Sequence, residues 1–320
     1  MTKGKEAVLP QNQGTFAARL KKLGSQIWKH RAVYTLLLPG LVWYFIFAYM
    51  PMGGLSLAFK SYKANLGIWA SPWVGFENYR YVFRDPAFWG SIQRTLIINL
   101  GRLVFQFPAP VLIALMLNEV RVGRYKKVLQ SLYTFPHFLS WVIVASIMTN
   151  LLSYDGIVNG LLGQMGSSVN FLGNAKIFQP MLYITEIWKS SGYSAIIYLA
   201  AISGIDVDQY EAAEIDGASR MQRIFRITLP NILPTITIMF ILMTGNLMST
   251  GFDQIFNLSN AAVKEVSETL DMYIYRITFQ SSSDFSFSTA VSLFRSLINM
   301  ILLVLADRGS RLMGGNGLFG

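Results

Sequence analysis

The sequence predicts an all-α integral membrane protein with six transmembrane helices. Of the 320 residues, 52% are hydrophobic and only 14% are charged, whereas a soluble domain carries about 25% charged residues. Several apolar runs are long enough to cross roughly 30 Å of hydrocarbon, which takes about 20 residues. Lys and Arg are concentrated in alternate connecting segments, as expected of loops that face the cytoplasm.

Six segments meet the length requirement for a membrane span. Three carry no acidic or basic charge, and they are residues 32–59, 128–154 and 227–252. Three others contain a few charged residues, and they are about 90–118, 177–204 and 286–306. The first run is too long for the core of a signal peptide, so we interpret it as a retained first span.

The basic residues orient these spans. With the N-terminus inside, the inner segments contain 16 Lys and Arg residues and the outer segments contain 7. This asymmetry predicts that both termini and the loops near 120–127 and 205–226 are cytoplasmic. The predicted organisation is a basic tail (1–31), a six-span membrane domain (32–306) and a C-terminal tail (307–320).

The N-terminal tail carries apolar residues among its basic ones. We predict that it forms an amphipathic helix on the membrane surface, and an unstructured basic anchor is the alternative. The apolar residues of this predicted helix are Phe16, Leu20, Leu23, Ile27 and Trp28.

Several classes of protein are disfavoured by what the sequence lacks. It has no cysteine, and His30 and His137 stand far apart, so neither a metal site nor a bound cofactor is predicted. A phosphate-binding loop and a Gly-x-Ser-x-Gly motif are both missing. Glu186 is the only acid within the predicted spans, which disfavours an intramembrane aspartyl protease and leaves a secondary transporter as a remote alternative. The basic residues form no dense patch typical of nucleic-acid binding.

The inner segment at about 206–226 has the pattern of two short helices. Asp208 and Glu211 are predicted to cap the first helix, and Gly217 is predicted to turn the chain. Arg220 begins a second helix, on which basic residues recur every three positions. On charge alone, an ordinary charged loop is the alternative interpretation.

This segment also matches a long motif. Glu211-Ala212-Ala213, three residues, Gly217, nine residues, Ile227, one residue and Leu229-Pro230 resembles the signature of the permease subunits of binding-protein-dependent ABC importers. The resemblance extends over about residues 30–320. Segments 135–142, 188–201, 270–276 and 317–319 are similar to the carbohydrate branch, including permeases for alginate.

The resemblance implies a type I ABC importer permease in the bacterial inner membrane, which moves oligosaccharides by alternating access. It implies four kinds of partner: a second homologous permease, two ATP-binding subunits that hold ATP and Mg²⁺, an extracytoplasmic solute-binding protein, and the sugar. It also implies that residues 210–226 form a coupling helix that docks on an ATP-binding subunit. The predicted coupling residues are Tyr210, Glu211, Ala212, Ala213, Asp216, Gly217 and Arg220.

Charged and polar groups on the outer and central parts of the spans are candidates for the solute path, because such groups usually face a cavity or a partner. The candidates are Arg102, Tyr183, Glu186, Trp188, Lys189, Asn246, Asp253, Gln254 and Arg295. The excess of basic groups favours a positive path for an acidic, uronate-like oligosaccharide.

Other interpretations of these residues stay open. Glu186 and Lys189 are three positions apart, so they have the spacing of a pair within one helix. Arg102 and Arg295 have no acid of their own within the predicted spans, so carboxylates of the second permease are alternative partners. The aromatic and amide side chains have ordinary roles at interfaces and between helices. A neutral oligosaccharide or another small solute is the alternative cargo.

Overall fold

The structure is a computed structural model that describes residue 26 and residues 28–120, 123–249, 251–281, 284–312 and 317–318. The chain divides into two units, residues 1–56 and residues 57–320. Four residues of the predicted N-terminal helix, Phe16, Leu20, Leu23 and Ile27, lie outside the described residues.

The first unit contains one long helical stretch. It begins as α1 (Arg31–Tyr44), passes through a π-helical turn (Phe45–Tyr49) and continues as a 3-10 helix (Met50–Phe59), inside which the unit ends. Its sequence is apolar on every side of the helix, as expected where lipid surrounds it. The first predicted span is therefore helical over its whole length.

The second unit is also built from helices. In chain order they are α2 (Gly67–Ala70), α3 (Glu77–Arg84), α4 (Pro86–Phe105), α5 (Pro108–Asn118), α6 (Gly123–Thr134), α7 (Trp141–Leu152), α8 (Ile157–Gln164), α9 (Ala175–Ser203), α10 (Val207–Ile215), α11 (Arg220–Arg223), α12 (Leu229–Gly245), α13 (Phe252–Leu258), α14 (Lys264–Ser267), α15 (Leu270–Tyr275) and α16 (Phe285–Leu312). Among the described residues the only β pairing is an isolated bridge between Lys60 and Trp73. The predicted all-α class is confirmed.

Five helical stretches within the described residues have the length and apolarity of a membrane span. They are Arg31–Phe59, Pro86–Asn118, Trp141–Gln164, Arg220–Gly245 and Phe285–Leu312. The remaining predicted span, about 177–204, corresponds to α9, whose 29 residues include Glu186 and Lys189. At 1.5 Å per residue, α9 is about 44 Å long, which suffices to cross a bilayer. The count of six spans stays a prediction.

The uncharged run at 128–154 is not one helix, contrary to the sequence interpretation. The helix α6 ends at Thr134, and Pro136 lies in a 3-10 turn. Ser140 then caps α7 by accepting a hydrogen bond from the Ile143 amide at 3.3 Å. Proline removes a backbone donor and a serine cap favours a new helix start, so the apolar span begins later, at Trp141.

Buried apolar side chains form three clusters in the second unit, and α9 belongs to two of them. The clusters are centred on Phe88, Tyr273 and Val291 of α4, α15 and α16; on Ile98, Leu182 and Ile255 of α4, α9 and α13; and on Val111, Tyr198 and Ile232 of α5, α9 and α12. Helices α4, α5, α9, α12 and α13 pack together in these clusters. The same helices line the cavity described below.

The segment after α13 is held in place by polar contacts. Glu268 accepts from Arg276 Nε at 2.6 Å and lies 3.7 Å from Arg94 Nη2. Tyr273, which is fully buried, donates its hydroxyl to Asp85, the residue that caps α4. Burial and this hydrogen bond raise the pKa of Tyr273 above its usual value near 10.

Candidate functional site

The inner segment folds as a helical hairpin, α10 followed by α11. Asp206 caps α10 by accepting from the Asp208 amide at 3.1 Å, so the predicted Asp208–Glu211 cap pair is wrong. Asp206 has the extended backbone that a cap residue requires, whereas Asp208 lies inside the helix. Gly217 turns the chain as predicted, with a left-handed φ of 74°.

Polar contacts hold the two arms of this hairpin together. Ser219 and Gln222 form a capping box at the start of α11. Arg223 Nη1 lies 3.1 Å from Glu214 Oε2, which joins the second arm to the first. From Arg220 the chain continues through a π-helical turn (Ile224–Thr228) into α12 without a break. The hairpin is therefore built onto the end of a spanning helix.

The outer surface of the hairpin is open. Of the predicted coupling residues, Glu211, Ala212, Asp216, Gly217 and Arg220 are exposed, and Tyr210 and Ala213 are partly buried. Apolar side chains are exposed among them, namely Val207, Ile215, Met221 and Phe225. Ile215 is the most open of these, at 87%. Apolar side chains exposed together on a charged hairpin are typical of a protein interaction surface.

A second site is a cavity of about 650 Å³ between α4, α5, α9 and α12, extending to the start of α13. Its polar lining consists of Asn99, Arg102, Gln106, Glu186, Ser190, Ser191, Ser194, Asn246, Ser249 and Asp253. Four predicted path residues are therefore brought together: Arg102, Glu186, Asn246 and Asp253. The serines are not among the residues predicted from the sequence, although Glu186, Ser190 and Ser194 have the four-residue spacing of one helix face.

Arg102 is the most deeply buried charge of this lining, with 3% of its surface exposed. It donates through Nη2 to the side-chain carbonyl of Gln254 and through Nη1 to Asn99 Oδ1 at 3.4 Å. Gln254 itself is fully buried and does not line the cavity. Gln254, a predicted path residue, therefore contacts Arg102 and not the cavity.

A break in the helical chain after α12 forms one wall of the cavity. The helix ends at Gly245, and the chain resumes as α13 after Gly251, which has a φ of 83°. Asn99 donates to the Leu247 carbonyl at 2.6 Å, so α4 holds the broken segment through a backbone group. The spanning helix therefore ends at Gly245, before the predicted end at 252, and it begins at Arg220, before the predicted start at 227.

The other predicted path residues lie away from the cavity lining. Arg295 forms an ion pair with Asp271, so its acid belongs to this chain although it lies outside the predicted spans. Asp271 lies in α15, between two predicted spans, so it is not counted among the acids of the spans. Tyr183 packs on Phe105 with a ring separation of 5.6 Å, and Trp188 is 46% exposed.

Glu186 and Lys189 make separate contacts. Lys189 donates to the His137 carbonyl at 2.9 Å and lies over the Trp141 ring. Glu186 accepts from the Ser190 hydroxyl at 2.6 Å. The pair that their spacing allowed is therefore not formed, and Lys189 instead anchors the 3-10 turn that precedes α7.

Comparison with known proteins gives consistent matches. Residues 107–313 match the family of the binding-protein-dependent transport system inner membrane component. The polygalacturonan/rhamnogalacturonan transport system permease protein YteP of Bacillus subtilis (strain 168) is 39% identical over 304 residues, covering 93% of this chain and 94% of that protein.

Two solved structures share the fold. A bacterial ABC transporter involved in the import of the acidic polysaccharide alginate superposes with a TM-score of 0.83 and 37% identity, covering 91% of this chain and 98% of the matched chain. A bacterial alginate ABC transporter in complex with an alginate pentasaccharide-bound periplasmic protein gives a TM-score of 0.84 and 36% identity, covering 93% of this chain and 100% of the matched chain.

Proposed function

This chain belongs to the family of binding-protein-dependent transport system inner membrane components, and we propose that it imports uronate-containing oligosaccharides. It is a multi-pass permease subunit of a sugar ABC importer. The observation that carries the finer proposal is the buried guanidinium of Arg102, which lines the cavity and has no carboxylate within ion-pair distance among the described residues. A buried cation is stabilised by an anionic ligand.

The relatives support an acidic cargo. YteP is named for polygalacturonan, and both matched structures are importers of alginate. The repeating units of these polymers carry carboxylates. Aromatic side chains also line the cavity, among them Trp141, Tyr198 and Phe252, and their rings offer apolar faces to the C–H faces of a sugar.

Energy for transport comes from partner subunits in this proposal. The hairpin α10–α11 docks on a cytoplasmic ATP-binding subunit through its exposed surface, and nucleotide-driven movement of that subunit is passed to α12. The continuous helix from Arg220 to Gly245 supports this role because it joins the hairpin to the cavity wall. Movement of this helix then exposes the cavity alternately to the two sides of the membrane.

Three kinds of partner complete the proposed transporter: a second permease, two ATP-binding subunits and an extracytoplasmic solute-binding protein. The family description refers to a binding protein, and one matched structure includes a periplasmic protein. The proposal places both termini and the hairpin in the cytoplasm.

A neutral oligosaccharide is the second candidate cargo. Glu186 and Asp253 line the same cavity as Arg102, so the lining carries two acids. These carboxylates repel an acidic sugar, which only Arg102 among the charged residues of the lining attracts.

The test is ATP hydrolysis by the purified transporter with its binding protein, measured with oligouronates and with neutral oligosaccharides of equal length and linkage. Uronates are expected to stimulate hydrolysis more strongly. Stimulation by neutral sugars alone contradicts the uronate proposal. Uptake that continues without ATP and stops when the proton gradient collapses contradicts the importer mechanism as well.

A further inference from the structure

We infer that Arg102 binds a carboxylate of the transported sugar and that Gln254 is a positioning residue, which orients Arg102 without contacting the sugar. The inference rests on the proposed uronate import. It assigns two different tasks to two residues that are both candidates for the solute path.

The first observation is the incomplete set of contacts around the guanidinium. Its two hydrogen bonds go to neutral amide oxygens, those of Gln254 and Asn99. Its Nε is buried and has no hydrogen-bond partner among the described residues. Amide oxygens satisfy donors but do not cancel the charge, and the carboxylate of Glu186 attracts the guanidinium only from a distance, without an ion pair among the described residues. A buried charge that lacks a directly paired counter-ion is unfavourable. A ligand carboxylate in the adjoining cavity supplies both the negative charge and further acceptors.

The second observation is the fixed orientation of the Gln254 amide. Its Nε2 donates to the Leu182 carbonyl and to Thr185 Oγ1, each at 2.8 Å. The Thr185 hydroxyl donates in turn to the Met181 carbonyl at 2.8 Å. Since the nitrogen is held by two acceptors, the carbonyl oxygen of Gln254 must point towards Arg102. Helix α9 thus determines where the guanidinium lies.

The third observation is the close approach of the guanidinium to the helix break. A Cβ atom built on Gly251 would overlap both terminal nitrogens of Arg102. Only glycine leaves this space and also accepts a φ of 83° without strain. Arg102 therefore lies directly against the backbone that follows the helix Arg220–Gly245, the helix that carries the coupling movement in the proposed function.

The two acids of the cavity lining limit where a sugar carboxylate can bind. Glu186 is engaged by Ser190, and Asp253 is exposed at the start of α13. A sugar carboxylate next to either acid is repelled, so its favourable position is beside Arg102. The site therefore selects a sugar with a carboxylate at one position and hydroxyls elsewhere.

The experiment measures the ratio of ATPase stimulation by a trimeric uronate to stimulation by the neutral trisaccharide of the same linkage, in the full transporter with its binding protein. Arg102→Gln is expected to lower this ratio about tenfold or more, the effect of losing a charged hydrogen bond. Arg102→Lys keeps the charge and is expected to retain part of the preference. Thr185→Val removes one acceptor of Gln254 and is expected to lower the ratio with little change in stimulation by the neutral sugar.

The matched control is the double variant Asp271→Asn with Arg295→Gln, which removes another arginine together with its acid and is expected to leave the ratio unchanged. An unchanged ratio in Arg102→Gln overturns the inference while the uronate preference of the unmodified protein stands. If Arg102→Gln does not assemble, an unchanged ratio in both Arg102→Lys and Thr185→Val overturns it. A transporter that never responds to uronates contradicts the proposed function itself.

Discussion

The hydroxyl groups of Tyr210 and Thr228 lie 2.9 Å apart and share a hydrogen bond. Tyr210 lies on the first helix of the hairpin, and Thr228 lies in the π-helical turn at the start of the spanning helix, with 2% of its surface exposed. The two residues are separated by the whole turn of the hairpin. This contact and the hydrogen bond that Asn231 donates to Gln209 at 3.0 Å attach the exposed helix α10 directly to the spanning helix.

Tyr210→Phe is expected to weaken the coupling between ATP hydrolysis and uptake. The change removes one partly buried hydrogen bond, which contributes about 1 kcal/mol, or roughly a fivefold change in an equilibrium. The measurement is sugar transported per ATP hydrolysed in proteoliposomes. Thr228→Val is expected to behave in the same way and Thr228→Ser to remain normal, because serine keeps the hydroxyl. An unaltered ratio in Tyr210→Phe shows that this hydrogen bond has no part in coupling.

Gly217→Ala is expected to disturb the hairpin turn. A Cβ at this position meets no atom within 4 Å, so the effect comes only from its left-handed φ of 74°. That conformation costs an alanine about 1–2 kcal/mol. Lower affinity for the ATP-binding subunit, measured by pull-down or light scattering, is the expected result.

Gly204→Ala is the control for this change, because Gly204 has a φ of −87° and an added Cβ makes only ordinary contacts there. Equal affinities for the two alanine variants contradict the importance of the turn.

Gly192→Ala is expected to destabilise the packing of α9. An added Cβ would overlap the backbone carbonyl of Tyr133, which cannot move like the end of a flexible side chain. Overpacking of this kind costs about 1–3 kcal/mol. Thermal unfolding in detergent measures it, with Gly163→Ala as a control, because a Cβ on Gly163 meets nothing within 4 Å. Similar melting temperatures for both variants would argue against this packing of α6 and α9.

Local features of the sequence predicted local features of the structure. The turn at Gly217 depends on the residue itself, and the apolar runs depend on composition. Both could therefore be predicted from the sequence. The prediction of one span over 128–154 was wrong, because the absence of charge does not reveal where a helix ends. Pro136 and Ser140 break the helix there.

Contacts between distant parts of the chain could not be predicted in this way. Arg102 and Gln254 lie on α4 and α13, and Arg295 and Asp271 lie on α16 and α15. Neither pairing has the spacing of neighbours on one helix. Which charges face the cavity therefore depends on helix packing, which hydropathy and residue spacing do not specify.

Tyr273→Phe is expected to change how stability depends on pH. The raised pKa of Tyr273 means that the folded protein keeps the hydroxyl proton after an unfolded chain has lost it. Its contribution is therefore fully present below about pH 10, the usual tyrosine pKa, and decreases above it by up to about 1.4 kcal/mol per pH unit. Thermal unfolding between pH 8 and pH 11 measures this.

The Phe variant should be less stable at pH 8, because Asp85 loses a donor, and its stability should fall less steeply above pH 10. Parallel curves for the two proteins would show that Tyr273 does not titrate in this way.

The transfer of movement from an ATP-binding subunit through the hairpin can be tested by cross-linking. The chain has no cysteine, so Ile215→Cys introduces a unique thiol at an 87% exposed position. In the assembled transporter this thiol is expected to cross-link to the ATP-binding subunit with a yield that changes when ATP binds, and to be shielded from impermeant reagents added outside the cell. A thiol that reacts from outside, or that never cross-links to a nucleotide-hydrolysing subunit, would contradict the proposed role of the hairpin.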